Sequence, residues 1–240
     1  MRMRRATLAA AVIAALLLLL AGPGVRLGMW SFRTGFSLLR WGAYLGLAAA
    51  ALALLQLIWR RTRAAGPWPL VVALILGLVA AGVPWYWLHL AQRVPPIHDI
   101  TTDTKDPPAF VAVLPLRAGA PNPAGYGGAE VAAAQRKGYP DIGPVVLEAS
   151  PPGVAFSRAL AAARGAGWAI VAADSAAGRI EATATTGWFG FKDDVVIRVR
   201  PEGNGSRLDV RSVSRVGGSD VGTNAQRIRV YLRRVTDSKE

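Results

Sequence analysis

The first 98 residues contain neither aspartate nor glutamate, and three apolar runs lie within them, at residues 6–25, 41–59 and about 68–90. At about 1.5 Å per helical residue each run reaches about 28–35 Å, enough to cross a hydrocarbon core of about 30 Å. They read as three transmembrane helices. The second is interrupted only by Gln56, and Pro84 in the third is tolerable because neighbouring helices can satisfy the freed carbonyl. Trp41, Trp59, Trp68, Trp85 and Trp87 fall near the ends of the second and third runs, where indole rings favour the headgroup level. The competing reading of these tryptophans is core packing.

The formal charge of +13 would ordinarily suggest a nucleic-acid partner, but its distribution argues against one. Ten of the 28 basic residues lie in the acid-free region, and the remaining 18 face all 15 acids, an excess of only three. The charge is therefore a topology signal. Arg2, Arg4 and Arg5 precede the first run and Arg60, Arg61 and Arg63 separate the second from the third, whereas "GPGVRLGMWSFRTGF" between the first and second holds only Arg26 and Arg33. Arginine-rich short loops stay in the cytosol, so the N-terminus and the "RRTR" loop are expected there, and everything after Arg93 on the opposite side. In a bacterial inner membrane that side is the periplasm. The first run also has the basic start and Leu-rich core of a signal peptide, although its cleavage site is poor. Cleavage would leave the later segments in the same orientation.

The chain has no cysteine, hence no disulfide, thiolate metal site or cysteine nucleophile, which is compatible with an oxidising compartment. Its two histidines are His89, at the end of an apolar run, and His98. A Ser-His-Asp triad or a His-rich metal site would have to be built around His98 alone, so neither metal nor cofactor is expected.

Three regions follow from composition: a membrane region over residues 1–94, a Pro/Gly-rich lead-in over 95–144 and a compact domain over 145–240. Eleven of the 16 prolines lie between Pro95 and Pro152. That density blocks continuous helix or central strand and predicts an extended, looped lead-in. Ile97, Ile100, Phe110, Val111, Val113, Leu114 and Tyr126 give it apolar side chains to lay against a surface. Beyond it, "PVVLEA" reads as a strand, and "SPPGVAFSRALAAARGAG" as a helix with Ser150 as N-cap. "WAIVAAD", "RIEATATT", "DDVVIRVR" and "SRLDVRSVSRV" read as strands, and the helical period returns from about Asn224 with Ala225, Ile228, Leu232 and Val235 on one face. The expected fold is an α+β domain, an antiparallel sheet with helices packed on one face, behind N-terminal transmembrane α-helices.

The stretch "RSVSRVGGSDVGTNAQRIRV" carries the strongest functional signal. Strand alternation puts Arg211 and Arg215 on one face, and the glycine-rich turn must lead into the last helix, which Thr223 or Asn224 could cap. A helix start offers orphan N–H groups and the positive end of a dipole. With Arg227 on the first turn, the set Arg211, Ser214, Arg215, Ser219, Asp220, Asn224 and Arg227 makes a candidate anion pocket for phosphate, an anionic lipid headgroup or an envelope glycan. His98, Asp99, Asp193 and Asp194 are candidate polar partners. The same residue types would equally serve an ion-pair lattice in which Asp193, Asp194, Asp209 and Asp220 lock the last helix to the sheet and no ligand binds. Asp193 and Asp194 invite a paired-carboxylate reading, but neighbours in a strand point to opposite faces. Trp188, Phe189 and Phe191 are either core or an apolar wall beside the arginines.

"IHDITTD", "GWFGFKDDVVIRV" and "DVRSVSRVGGSDVGTNAQRI" together resemble the domain of unknown function 1499 family over about residues 97–235. The three-helix front with "RLGMWSFRTGF" looks like its membrane-anchored bacterial members. The resemblance implies no activity. Three classes of function stay open: non-catalytic binding of an anionic envelope ligand or a partner protein, a structural subunit of a membrane complex, and a carboxylate-dependent envelope hydrolase.

Overall fold

The computed structural model describes residues 2–59 and 66–237. The "RRTR" loop, with Arg60, Arg61 and Arg63, lies outside the described residues. The chain divides into two compact units, one formed by the residues up to Gln92 together with Gly187–Gly190, the other by Arg93–Thr186 and the residues from Phe191 onward.

The first unit is three helices, α1 (Arg2–Arg26), α2 (Phe32–Ile58) and α3 (Trp68–Ala91), each long and apolar enough to cross a membrane. Helix α2 starts nine residues before the apolar run that signals it. Ser31 caps it by accepting the Thr34 N–H at 3.2 Å, and its polar first turns are helical without being apolar. The helices meet through small side chains. A Cβ added to Gly46 would lie 2.8 Å from the Gly77 carbonyl, and one on Gly77 would strike the Gly46 carbonyl, so two backbones touch where glycines face each other. Ala11, Ala49, Ala53 and Ala73 continue this packing. Where lipid is as apolar as leucine, close backbone approach replaces the hydrophobic effect as the attraction between helices. Gln56 turns inward, its Nε2 donating to Thr7 Oγ1 at 2.7 Å. Trp41, Trp59, Trp68, Trp85 and Trp87 are all exposed, as an interfacial belt requires and core packing does not. Gly187–Gly190 groups with these helices: Gly22 leaves room for the Trp188 ring, and Phe189 lies 5.2 Å from Phe36.

The second unit is an antiparallel sheet in the order β1-β6-β5-β4-β3, formed by β1 (Asp99–Thr101), β3 (Ala169–Asp174), β4 (Arg179–Thr185), β5 (Lys192–Glu202) and β6 (Gly205–Ser214), with β2 (Val145–Leu147) also paired to β6. Strands β5 and β6 form one long hairpin closed by Gly203-Asn204. Gly203 has φ +57°, the left-handed backbone that a two-residue hairpin turn demands at its first position. Alternation then sorts the side chains. Ile180, Ala182, Val195, Ile197, Leu208 and Val210 face α5 (Pro152–Gly165) and α6 (Thr223–Asp237), which bury Phe156, Ala159, Ile228 and Tyr231 against them. The Tyr231 hydroxyl is satisfied by the Ala159 carbonyl at 2.9 Å.

The opposite face is covered as well, by residues 103–126, hereafter the strap. Phe110 and Val113 of the strap pack on Val196 and Val213. The expectation of an extended, looped lead-in is corrected at two points. Residues 99–101 are strand β1, and Gly128–Gly138 is a helix, α4. No proline lies between Pro123 and Pro140, and that window is where the helix forms. Gln135 of α4 bonds both backbone groups of Thr101, accepting its N–H at 3.0 Å and donating to its carbonyl at 2.6 Å, so a side-chain amide stands in for the next strand at the sheet edge. Of the apolar lead-in residues, Ile97, Ile100, Phe110 and Val113 are buried, whereas Val111 and Leu114 are exposed. Ser150 is not the N-cap of α5. Pro151 takes that position without a side-chain bond, because its ring carries no acceptor, and Pro152 at the first helical position has no N–H to leave orphaned. The Ser150 carbonyl accepts from Ser206 Oγ at 2.7 Å instead.

Candidate functional site

On β6 the odd-numbered residues from 207 to 213 face the strap and the even ones face the helices, so the arginine-rich stretch serves two surfaces. On the strap face Arg211 grips Asp99 with two parallel bonds, Nε to Oδ1 at 2.9 Å and Nη2 to Oδ2 at 2.7 Å. Both groups are buried. The same guanidinium donates to the Pro108 and Ala124 carbonyls of the strap and lies over the Phe110 and Tyr126 rings at 5.1 and 5.4 Å. Arg215 holds Asp194 in the same bidentate manner at 2.8 and 2.9 Å. Arg117 of the strap reaches Asp194 at 2.6 Å, and Thr183 Oγ1 donates to it at 2.7 Å. Burial pushes the Asp194 carboxyl up, but the bonds from Arg215, Thr183 and Arg117 outweigh it and hold the group below the ordinary carboxylate range.

Farther along the sheet the buried Asp209 accepts from Arg198, Arg200 and Arg207, and Asp103 and Asp106 of the strap close the cluster. Glu181, fully buried in β4, pairs with Arg179 at 3.1 Å and accepts the N–H groups of Val111, Ala112 and Val113 at 3.0–3.1 Å. Three consecutive backbone donors converging on one carboxylate form an anion nest, filled by the chain's own glutamate.

On the helix face Arg227 donates to Asp193 at 2.5 Å and to Ser212 Oγ at 3.1 Å. Asn224 is buried rather than capping, with its Nδ2 shared between the His98 carbonyl and Ser214 Oγ at 3.0 Å each. The cap of α6 is Asp220, whose carboxylate accepts the Asn224 N–H at 2.6 Å and the Gly222 N–H at 3.0 Å. Burial raises the Asp220 pKa, and the nearby Asp193 charge adds to the rise against the pull of the two N–H bonds and Arg227. Ser219 Oγ accepts the Val221 N–H at 3.2 Å inside the turn. No hydrogen bond or ion pair of the His98 ring is present among the described residues, although its carbonyl also accepts the Ser214 N–H.

The sequence-derived set is thus divided. Arg211 and Arg215 lie on one face of the sheet and Arg227 on the other, so the three do not converge on one pocket. Their side chains retain only 3%, 16% and 11% exposure, and each already holds an aspartate. The N-terminus of α6 is occupied by Asp220. Asp193 and Asp194 point to opposite faces, each committed to arginine, and no group of three His, Asp or Glu side chains suited to a metal gathers among the described residues. Sequence reasoning missed Glu181 and Arg117. Glu181 alternates with Ile180 and Ala182 as a solvent-facing residue would, and nothing local announces that the strap covers it.

The architecture is that of a chain with three candidate membrane spans followed by an antiparallel α+β unit stitched together by arginine–carboxylate pairs. The family model described as a protein of unknown function (DUF1499) matches residues 99–235, and the chain belongs to that family. Every residue of the lattice described above lies inside the match. A search of curated proteins found no match to the chain.

Proposed function

We propose that this chain is a membrane-anchored, non-catalytic binding module whose domain engages a partner protein, and that its arginine-rich signature is the lattice holding that domain in shape. One observation carries the reading: each guanidinium of the candidate anion pocket, Arg211, Arg215 and Arg227, meets a buried carboxylate of the same chain. An incoming phosphate or lipid headgroup would have to displace an aspartate already held by one bond at Asp193, two at Asp99 or four at Asp194. Acid–base chemistry is disfavoured on the same ground, since the carboxylates are held as acceptors by arginine. The crowding of arginines at the N-terminus and in the "RRTR" loop supports a cytosolic N-terminus in a bacterial inner membrane, with the domain in the periplasm.

The test is thermal melting of the full chain in mild detergent, with and without millimolar phosphate. The wild type should melt at one temperature in both, and Arg215→Ala should lose about 3 kcal/mol by leaving Asp194 under-paired. A melt raised by phosphate, with Arg215→Ala stable and merely insensitive to it, would restore the anion pocket.

A further inference from the structure

The strand register of the second unit sorts several of its exposed charges by end. At one end β4 finishes at Thr185 opposite Lys192, the first residue of β5, and β3 starts with Ala169 opposite Thr183. Arg164, in the last turn of α5, lies just before β3 and so at this end too. The segment entering β1 arrives here as well, since Asp99 opposes Val213 near the finish of β6. Arg93 is in that segment. Lys137 adjoins it, because a Cβ on the next residue, Gly138, would lie 2.6 Å from Pro95. Arg93, Lys137, Arg164 and Lys192 are exposed, and none has a carboxylate within ion-pair distance among the described residues. The aspartates near them are spent: Asp99, Asp193, Asp194 and Asp141 hold arginines, and Asp220 is turned onto the amides of α6. The exposed acids Glu148, Asp174 and Glu202 lie toward the other end, next to Leu147 opposite Ser206, opposite Arg179 where β4 begins, and at the turn between β5 and β6.

We propose that this basic end, with Arg93, Lys137, Arg164 and Lys192, rests on the anionic phospholipid headgroups of the bilayer in which the chain's own helices anchor it. Two observations select a lipid surface over a single bound anion. The first is spacing. The four cations are strung across β1-β6-β5-β4-β3, four interstrand steps or about 19 Å, as a row of long exposed side chains and not around a pocket. The second is the tether. Only Gln92 and Arg93 separate the end of α3 from Val94, which already packs against the core of the second unit. The last turns of α3 expose Trp85 and Trp87, the residue type that settles at the headgroup level, and Arg93 follows Trp87 by six positions, about 9 Å of helical rise. That is about one Debye length at physiological salt, the range over which an anionic leaflet attracts a basic side chain. The inference rests on membrane anchoring alone and leaves the partner-binding reading of the domain independent of it.

Lysine footprinting tests it with an internal control. The full chain is reconstituted in nanodiscs of phosphatidylcholine alone or mixed with phosphatidylglycerol, acetylated briefly, and read lysine by lysine by mass spectrometry. Lys137 and Lys192 should react about fivefold more slowly in the anionic discs, the factor that attraction of one basic residue to an anionic surface supplies. Lys105 should not change, since its neighbours Asp103 and Asp106 turn to Arg207 and Arg200 toward the opposite end of the sheet. The slowing should vanish in about 1 M salt and in the double variant Arg93→Glu, Arg164→Glu. Equal rates in the two kinds of disc overturn the proposal, and so does slowing of Lys105 by the same factor. The same protection from millimolar phosphate in neutral discs overturns it in favour of a soluble anion. A chain that fails to co-purify with the discs overturns the membrane anchoring as well, so the two failures are told apart.

Discussion

Protonating Asp194 would take away the acceptor of two guanidiniums and a hydroxyl, whereas protonating Asp220 would relieve a burial that its capping bonds do not fully offset. Asp194 and Asp103 are held below the ordinary value of 3.8. Their contribution to stability is complete above that value and is lost as pH falls through and below it. Asp220 has the opposite sign. Its folded-state pKa lies above 3.8, so the folded chain takes up this proton first and gains stability as pH falls through that range. The melting temperature of the full chain should therefore rise slightly from neutral toward mildly acidic pH and drop below about pH 4. Asp220→Asn should flatten the rise and keep the drop. Part of this chemistry was readable beforehand: alternation put Arg211 and Arg215 on one face, and the residue types for a lattice were evident. The pairing was not, because Asp99 meets Arg211 across 112 positions and Glu181 meets the strap across about 70.

Elements with their own physical signature were legible, and those defined by a neighbour were not. Three apolar runs of membrane length and four strands appear where expected, because run length marks the first and, in the strands, an apolar face under the helices opposite an ion-paired face under the strap writes a period into the sequence. Helix α4 has few apolar residues and packs through Val131, Ala132 and Ala134, so proline density concealed it. The start of α2 was missed for a similar reason, since hydropathy does not see capped polar turns. Helix contact in the first unit makes a sharper claim. Gly77→Leu would drive a side chain into the Gly46 carbonyl and Ala50, and overpacking of this kind costs about 1–3 kcal/mol or separates the helices. Thermal melting of the variant in detergent should show the loss, while Gly82→Leu, where an added Cβ meets nothing, should melt like the wild type.

For the whole molecule, the arginine asymmetry predicts that a reporter active only in the periplasm works when fused to the C-terminus and fails when inserted at residues 60–63. The reverse pattern would invert the proposed orientation. The central claim is that buried arginine–carboxylate pairs hold the strap on the sheet as part of one cooperative structure. Hydrogen exchange of residues 103–126 in the full chain reads it directly, in the wild type, Asp99→Ala, Arg211→Ala and the double variant. The amides of Val111, Ala112 and Val113 should exchange as slowly as those of β5 in the wild type and much faster in either single variant. The double variant should be no worse than the poorer single, because each single change already breaks the pair. A strap that exchanges like free chain in the wild type, or one whose protection survives the loss of Asp99 or Arg211, would contradict the account.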